Sequence, residues 1–401
     1  MPRHPSRTAS STATRHRSTW LVAVGLLVLS ACSGSSTTAS NGATPANSAG
    51  AGSAKVTAGG AATKRPGHIF VVNLENKGYD ETFGPDSKAT YLTKTLAAKG
   101  QMLNQYFGIG HLSLPNYLAE ISGQAPNPTT QADCPKYVEF NQTGTAAEGQ
   151  ATGEGCVYPA GVKTVADQLL EKGLSWKGYM EDIEQSTTGG AKTCRHATLG
   201  EADPTHVARK GDQYAARHDP FVYFHSIIDT PECDKRVVSL PTLEHDLGAV
   251  DTTPNYSLIS PNLCNDGHDA PCVDGKPGGL VSADAWLSTW VPKILDSPAF
   301  KADGLLVITF DEAEIGETEA AASCCNEQSG PNVKQAGISG PGGGRTGAVL
   351  LSPLVNPGST NATPYNHYAL LCSIEEAFGL AKLGYAGQAG LTCFGPDVYA
   401  N

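Results

Sequence analysis

Residues 68–76 read HIFVVNLEN, an apolar run that ends in an acid and an amide. The apolar residues are continuous rather than alternating, which is typical of a strand covered on both faces. A second such run, LLVITF at 305–310, leads directly into two acids. Because ligands of parallel sheets collect beyond the carboxyl ends of the strands, we expect the couplets 75–76 and 311–312 to lie at the same edge of one sheet.

The rest of the chain alternates strand-like and helix-like patterns. Further strands are predicted at FVYFHSI (221–227), YSLIS (256–260) and GAVLLS (347–352). Helices are predicted at TVADQLLEKG (164–173), at SADAWLSTWVPKILDS (282–297) with Ser282 as its N-terminal cap, and at NHYALLCSIEEAFGL (366–380). This alternation predicts an α/β fold with a mostly parallel central sheet flanked by helices on both faces. The polar stretches 124–160 and 312–346 are expected to be irregular loops held by disulfides.

The N-terminal part of the chain has a different composition. Residues 1–19 carry four arginines and no acid, and the apolar stretch that follows is too short to span a bilayer. This pattern indicates a signal peptide over residues 1–31 and an exported protein. The end of the stretch, LSAC, resembles a bacterial lipobox in which Cys32 carries a lipid anchor; the alternative is a plain secretory signal with an incidental cysteine. Residues 32–67 are rich in Ser, Gly and Ala and are expected to form a flexible tether before a folded domain over 68–401.

The charge of the chain restricts its partners. The sequence carries a net charge of −11, and loss of the four N-terminal arginines would bring it to −15. Such a charge disfavours nucleic acid and broad docking onto anionic lipid, so contact with a membrane is expected only through the anchor at Cys32. An anionic substrate would need local positive charge, which a metal ion can supply. Nothing in the sequence indicates an oligomeric state.

The cysteines indicate disulfide bonds. There are eleven, ten of them after Cys32, and no two are spaced C-x-x-C, so a structural zinc module is not expected. Cys264 and Cys272 are expected to pair across one loop. The adjacent Cys324 and Cys325 are expected to bond to two different partners rather than to each other.

The two couplets at the strand ends could hold a metal ion. Glu75, Asn76, Asp311 and Glu312 offer the oxygen ligands that a hard divalent cation prefers. Acids also commonly mark the point where a strand meets water, and a single couplet would carry little weight. Two couplets of the same kind favour one divalent cation of undetermined identity.

A serine at the start of a short helix is a possible nucleophile. The stretch GHLSLPNYLAEISG (110–123) places Ser113 where unpaired N–H groups favour an anion. A metal-bound serine there could lose its proton and attack phosphorus, and Asn116 could donate a hydrogen bond to a phosphate oxygen. The alternative is that Ser113 is an ordinary helix cap.

Six stretches together resemble a known family. They are VVNLENKGYDETFG (71–84), GHLSLPNYLAEISG (110–123), HDPFVYFHSI (218–227), SPNLCNDGHD (260–269), LVITFDEAE (306–314) and YNHYALLCSIEEAFGL (365–380). In this order they resemble the bacterial phosphoesterase family of secreted acid phosphatases and phospholipases C. The resemblance covers nearly all of residues 68–395 and implies an alkaline-phosphatase-like sheet fold.

The resemblance also implies roles for individual residues. Glu75, Asn76, Asp311 and Glu312 would hold one metal ion, with Ser113 as both ligand and nucleophile. The histidines of the family would map onto His111, His218, His268 and His367. A histidine near the leaving-group oxygen would donate a proton at mildly acid pH.

The function implied is an exported, metal-dependent phosphomonoesterase that works through a phosphoserine. The shorter family members include an enzyme that acts on phosphatidylinositol 3-phosphate. One alternative is a phospholipase C that cuts a phosphodiester at the same site. Another is a surface lipoprotein that binds an anion without catalysis.

Overall fold

A computed structural model describes residues 64–187 and 191–400, and it places the strand predicted at 68–74 in the middle of an eight-stranded sheet. The strands of the described chain are β1 (His68–Leu74), β2 (Gln101–Leu103), β3 (Tyr106–Phe107), β4 (Asn141–Thr145), β5 (Ala151–Glu154), β6 (Trp176–Met180), β7 (Val237–Ser239), β8 (Tyr256–Ser260), β9 (Gly304–Phe310), β10 (Ala348–Leu351), β11 (Ser359–Asn361) and β12 (Tyr365–Asn366).

The α-helices are α1 (Tyr79–Phe83), α2 (Ala97–Lys99), α3 (Ser113–Ser122), α4 (Val165–Glu171), α5 (His225–Ile228), α6 (Pro231–Arg236), α7 (Thr242–Asp246), α8 (Gly279–Asp296), α9 (Pro298–Asp303) and α10 (His367–Phe378). A π-helix spans Tyr91–Leu96. Short 3₁₀ turns lie at Thr130–Ala132, Ala147–Gly149, Ala216–His218, Pro220–Tyr223 and Gly384–Gly387.

The central sheet is mostly parallel, as predicted. Its strand order is β11-β2-β10-β9-β1-β8-β6-β7, and only β10 pairs antiparallel with its two neighbours among these described strands. Strand β1 is parallel to both β8 and β9, so the carboxyl ends of these three strands point to the same edge. Two-stranded pairs, β3–β12 and β4–β5, lie outside this sheet.

Apolar side chains cover both faces of the sheet. Along β1, Ile69 and Val71 pack into one core, whereas Phe70 and Val72 pack into the other. The first core includes residues of α3, α4 and α10, and the second includes residues of α8 and α9. Because successive side chains of a strand point to opposite faces, a continuous apolar run is what a strand with two buried faces requires. The predicted helix layers on both faces are confirmed.

One predicted strand is wrong. Residues 221–227 form part of the 3₁₀ turn Pro220–Tyr223 and of helix α5, and not a strand. Pro220 fixes a helical φ at the first position of that turn. Phe221, Val222 and Phe224 are all buried, and a short segment buried on every side has no periodicity that separates helix from strand.

The three helices predicted on the domain are confirmed, but one cap is not. Helix α8 begins at Gly279, three residues before Ser282, so Ser282 lies in the first turn. Its hydroxyl oxygen accepts a hydrogen bond from the Gly278 N–H at 3.0 Å. Helix α10 begins after Asn366, whose side chain caps it by accepting from the Ala369 N–H.

Five disulfides tie the loops. They are Cys134–Cys156, Cys194–Cys233, Cys264–Cys272, Cys324–Cys325 and Cys372–Cys393. The Cys264–Cys272 prediction is confirmed. The prediction that Cys324 and Cys325 bond elsewhere is wrong, because the other eight of these cysteines pair among themselves and leave this pair only each other.

The predicted signal peptide, Cys32 and nearly all of the predicted tether lie outside the described residues. Among the helices that the structure describes, none has the length and apolarity needed to cross a membrane.

Candidate functional site

The two couplets meet at the carboxyl edge of the sheet. Leu74 pairs with Phe310 at the ends of β1 and β9, so Glu75 and Asp311 leave the sheet side by side. The Asn76 backbone N–H donates to Asp311 Oδ1 at 3.0 Å. Asn76 has a φ of 56°, a left-handed conformation that asparagine tolerates better than most residues. The sheet register therefore brings Glu75, Asn76 and Asp311 together.

Ser113 faces this edge from the first residue of α3. Its hydroxyl donates to Glu75 Oε2 at 2.8 Å. It does not cap the helix, because the cap residue is Leu112 and no side chain bonds there. The Leu114 N–H at the same helix end donates instead to Asp133 Oδ1 at 2.9 Å. Ser113 is therefore free of the capping role and points at a carboxylate.

A buried histidine lies between two carboxylates on the other side of Glu75. His218 Nε2 lies 3.2 Å from Glu75 Oε1, and His218 Nδ1 lies 3.2 Å from Asp266 Oδ2. Neither nitrogen is aligned for a hydrogen bond. Tyr117 stacks on the His218 ring with centroids 5.3 Å apart, and its hydroxyl donates to Glu75 Oε1 at 2.6 Å. Ligand atoms of Glu75, His218 and Asp266 all lie within 4.8 Å of one another, a spacing that one cation could bridge.

Asn116 holds the turn before Ser113. Its Oδ1 accepts from the Ile109 and Gly110 N–H groups at 2.8 and 2.9 Å. Its Nδ2 donates to the Gly110 and Leu112 carbonyl oxygens, both at 3.1 Å. Both amide hydrogens are thus engaged by the backbone, so this geometry makes Asn116 a positioning residue instead of the predicted phosphate donor.

His111 and Glu312 form a buried pair beside the turn. His111 Nε2–H donates to the Ala320 carbonyl oxygen at 2.7 Å, and His111 Nδ1 contacts Glu312 Oε2. The arrangement differs from the predicted metal set, in which Glu312 faced the cation, because the histidine engages that carboxylate.

His367 lies behind Asp311. Its Nε2–H donates to the Asp311 carbonyl oxygen at 2.7 Å, and its Nδ1 lies 2.8 Å from Glu120 Oε1. Glu120 Oε2 accepts in turn from Asn73 Nδ2 at 2.5 Å. His367 is completely buried and its ring nitrogens face the Asp311 carbonyl oxygen and Glu120, so it can orient the loop at Asp311.

His268 is the predicted site histidine that solvent can reach. About a third of its side chain, 32%, is exposed, whereas the His111, His218 and His367 rings are buried. Its Nδ1 lies 2.8 Å from Asp269 Oδ1, and its Nε2 lies 3.3 Å from a terminal nitrogen of Arg217. Since arginine can only donate, His268 Nε2 is the acceptor there and Nδ1 carries the proton toward Asp269.

The electrostatics of the site call for a counter-charge. Burial raises the pKa of Glu75, Asp266, Asp311 and Glu312 well above the usual range, and a neighbouring acid adds to each rise. Burial also lowers the pKa of His218 well below its usual value, helped by the charges of Arg217 and His268.

Asp266 Oδ2 and Asp311 Oδ2 accept no hydrogen bond. Buried carboxylates with free oxygens fit a divalent cation, for which Glu75, Asp266, His218 and the Asn76–Asp311 edge supply suitable donors.

Several residues of this site lie outside the predicted set of ligands and catalytic groups. Asp266 carries a detectable signal, because it follows strand β8 by a few residues at the same sheet edge. Tyr117 lies one helical turn after Ser113, where i and i+4 share a face. Arg217 and Asp133 carry no such signal, because their contact at 3.5 Å joins two loops that are distant in sequence.

The Phosphoesterase family model matches residues 86–381. Among curated proteins, a probable acid phosphatase of Kluyveromyces lactis is 26% identical over 327 residues, which is 81% of this chain and 60% of that protein. A phosphatidylinositol-3-phosphatase of Mycobacterium tuberculosis is 25% identical over 322 residues, 80% of each chain. The chain thus spans about 60% of the length of the fungal relatives that it matches.

Solved structures with a similar chain path were also found. A protein in the alkaline phosphatase superfamily from Vibrio parahaemolyticus has a TM-score of 0.44 at 13% identity, covering 80% of this chain and 68% of that one. The lipoteichoic acid synthase LtaP from Listeria monocytogenes has a TM-score of 0.42 at 12% identity, covering 84% and 76%.

Proposed function

This chain belongs to the phosphoesterase family, and on that basis we propose that it is a metal-dependent phosphomonoesterase of the acid phosphatase kind with Ser113 as its nucleophile. The observation that carries the proposal is the 2.8 Å hydrogen bond from the Ser113 hydroxyl to Glu75, made where the two acidic couplets leave the sheet. A serine with an ordinary structural role would cap its helix or contact the backbone. Here it meets a cluster of ionisable groups whose pKa values are displaced by burial, a combination that is typical of active sites.

The reaction would proceed in two steps. In the first, the Ser113 oxygen bonds to phosphorus as the bond to the alcohol breaks, and the hydroxyl proton passes toward Glu75. In the second, water attacks the phosphoserine and gives a proton back to the histidine that protonated the alcohol. The Ser113–phosphorus bond breaks, Glu75 returns its proton to the Ser113 oxygen, and inorganic phosphate leaves. A bound divalent cation would lower the pKa of the serine hydroxyl and offset the charge on phosphate.

The remaining residues support these steps in different ways. We assign the protonation of the leaving alcohol to His268, because it alone of the four predicted histidines borders an open cavity with part of its ring in solvent. It would donate from Nε2 in its doubly protonated form, in which that nitrogen no longer accepts from Arg217. Asn116 keeps the turn before Ser113 in place, and His367 keeps Asp311 in place. The cation would be held by Glu75, Asp266, His218 and Asp311.

The test is the variant Ser113→Ala, assayed with p-nitrophenyl phosphate in the presence and absence of a chelator. We expect the wild type to release phosphate only with its metal, and S113A to lose at least about three orders of magnitude in kcat while keeping its thermal unfolding temperature. Substantial activity in S113A would remove Ser113 as the nucleophile.

Two alternatives are distinguished by their products. A phospholipase C would release diacylglycerol and a phosphorylated headgroup from a phosphodiester, whereas a phosphomonoesterase releases free phosphate. Phosphatidylinositol 3-phosphate belongs among the substrates to assay, because one relative bears the name of that activity. An anion-binding lipoprotein without catalysis would bind phosphate and release none.

We propose further that the protein is exported and anchored by a lipid on Cys32. The support is the sequence pattern of residues 1–32. Globomycin-sensitive processing and membrane association that a Cys32→Ser variant loses would be the expected results. A soluble wild-type protein in the cytoplasmic fraction would contradict them.

A further inference from the structure

A cavity of about 470 Å³ opens next to Arg217 and His268, two residues that border the proposed site. Its polar lining consists of these two residues with His206 and Asp269. Arg217 is connected to the helix end at Ser113 through Asp133. Its Nε lies 3.5 Å from Asp133 Oδ2, and Asp133 Oδ1 accepts from the Leu114 N–H next to Ser113. His268 lies near the buried His218 of the site, because the two ring centroids are 6.0 Å apart.

The rest of the cavity lining is aliphatic. It is formed largely by Val207, Ala208, Leu263, Pro271 and Val273. Val207 is 69% exposed and Val273 is 46% exposed. A single exposed valine needs no explanation, but these two line the same cavity, and we call them its apolar rim.

One wall of the cavity is held firmly. The disulfide Cys264–Cys272 closes the loop that carries Pro271 and His268. The Cys272 N–H donates to the Lys276 carbonyl oxygen at 3.0 Å, which extends this bracing to the segment after Val273. The apolar rim is therefore a formed surface that a ligand meets without first ordering it.

On the premise of the proposed function, we propose that this cavity is a leaving-group pocket that selects phosphomonoesters whose alcohol is apolar. With phosphorus at Ser113 and the phosphate charge near Arg217, the rest of the substrate extends through the cavity toward the aliphatic rim. Apolar groups gain free energy when they leave water for such a wall. A sugar or polyol would lose hydrogen bonds to water there, and His268 Nδ1 and Asp269 already face each other at 2.8 Å.

A series of n-alkyl phosphates tests the pocket without changing the chemistry of the leaving group. We expect kcat/KM to rise from ethyl through butyl to hexyl phosphate, by up to about fourfold for each fully buried methylene and by about tenfold over the series. Glycerol 3-phosphate, of similar size to butyl phosphate, should be a poorer substrate than butyl phosphate.

Variants at the rim locate the effect. In the double variant Val207→Ser, Val273→Ser, kcat/KM should rise less with alkyl chain length. The value for ethyl phosphate should be unchanged, because its short chain does not reach the rim. Val250→Ser is the matched control, because Val250 is 45% exposed and does not line the cavity. In this variant kcat/KM should rise with alkyl chain length as steeply as in the wild type. All three are surface positions, and equal thermal unfolding temperatures would establish that the variants are folded.

The outcomes separate this inference from the proposed function. A wild type that hydrolyses every alkyl phosphate equally well overturns the leaving-group pocket and leaves the phosphatase intact. A slope that survives in the double variant also overturns it, because the apolar contact then lies elsewhere. A wild type that hydrolyses no phosphomonoester, with metal supplied, refutes the proposed function itself.

Discussion

Replacement of Glu375 by glutamine should make the protein more stable at neutral and alkaline pH and leave it unchanged in acid. Glu375 lies on α10 and is completely buried. One of its oxygens accepts from the Leu383 N–H at 2.8 Å, and the other has no hydrogen-bond partner. Burial raises the pKa of this carboxyl to about 8. Glutamine keeps the shape and the acceptor but carries no charge.

The size and sign follow from the difference between the folded and unfolded pKa. The folded value of about 8 lies above the ordinary value of 4.5, so the folded state binds the proton more tightly than the unfolded state. The favourable contribution is therefore complete below pH 4.5 and is lost as the pH rises through 8. At 1.36 kcal/mol for each pKa unit, the loss in the wild type reaches about 5 kcal/mol at most.

Thermal unfolding measured by scanning calorimetry at pH 4.5, 6 and 8 checks this prediction. An entropy of unfolding near 2.1 cal/mol/K per residue converts that loss into a gain of roughly 7 °C in Tm for E375Q at pH 8, and none at pH 4.5. Glu376→Gln is the control, because it removes the same charge at the next position of α10, where the side chain is exposed and paired with Arg65. An E375Q shift that is the same at all three pH values would refute the reasoning.

Three further substitutions test the site. Asn116→Ala should lower the free energy of unfolding by about 2–4 kcal/mol, because the buried Ile109 and Gly110 N–H groups lose their acceptor. An unchanged denaturation midpoint would show that these hydrogen bonds do not stabilise the turn. Tyr117→Phe should lower the free energy of unfolding by about 1–3 kcal/mol, because Glu75 loses a hydrogen-bond donor. The kcat of the metal-loaded variant then shows whether the geometry of the site is preserved. Arg217→Lys should raise KM about tenfold for ethyl and hexyl phosphate alike, since lysine keeps the charge but not the contacts to Asp133 and His268; a loss confined to hexyl phosphate would place Arg217 in the apolar recognition instead.

The sequence predicts the centre of the fold better than its periphery. Strands β1, β8 and β9 are buried on both faces, and such strands show as unbroken apolar runs. Strands β2 and β7 have three residues each, too few to produce a pattern. Residues 221–224 show neither strand nor helix periodicity because all four are buried, and burial alone does not fix the backbone.

The same distinction holds within the site. The couplets at residues 75–76 and 311–312 are local patterns placed by strand register, and both reach the expected edge. The engagement of Glu312 by His111, and the contact of Arg217 with Asp133, depend on how separate loops fold over that edge. No local pattern encodes those contacts, so residue type and strand register cannot predict them.

The cluster of buried carboxylates leads to a prediction about metal that does not depend on activity. Glu75, Asp266 and Asp311 lie at one edge, and Arg217 is a permanent cation whose charge lowers the pKa of Glu75 and Asp266. A phosphate dianion would be repelled from such a cluster, so a substrate can approach only when another positive charge is present. A chelator should therefore lower the thermal unfolding temperature of purified protein at pH 7, and a stoichiometric divalent cation should restore it. If elemental analysis finds no bound metal and the unfolding temperature is indifferent to both additions, the carboxylates are held by protons alone and the metal-dependent mechanism is lost.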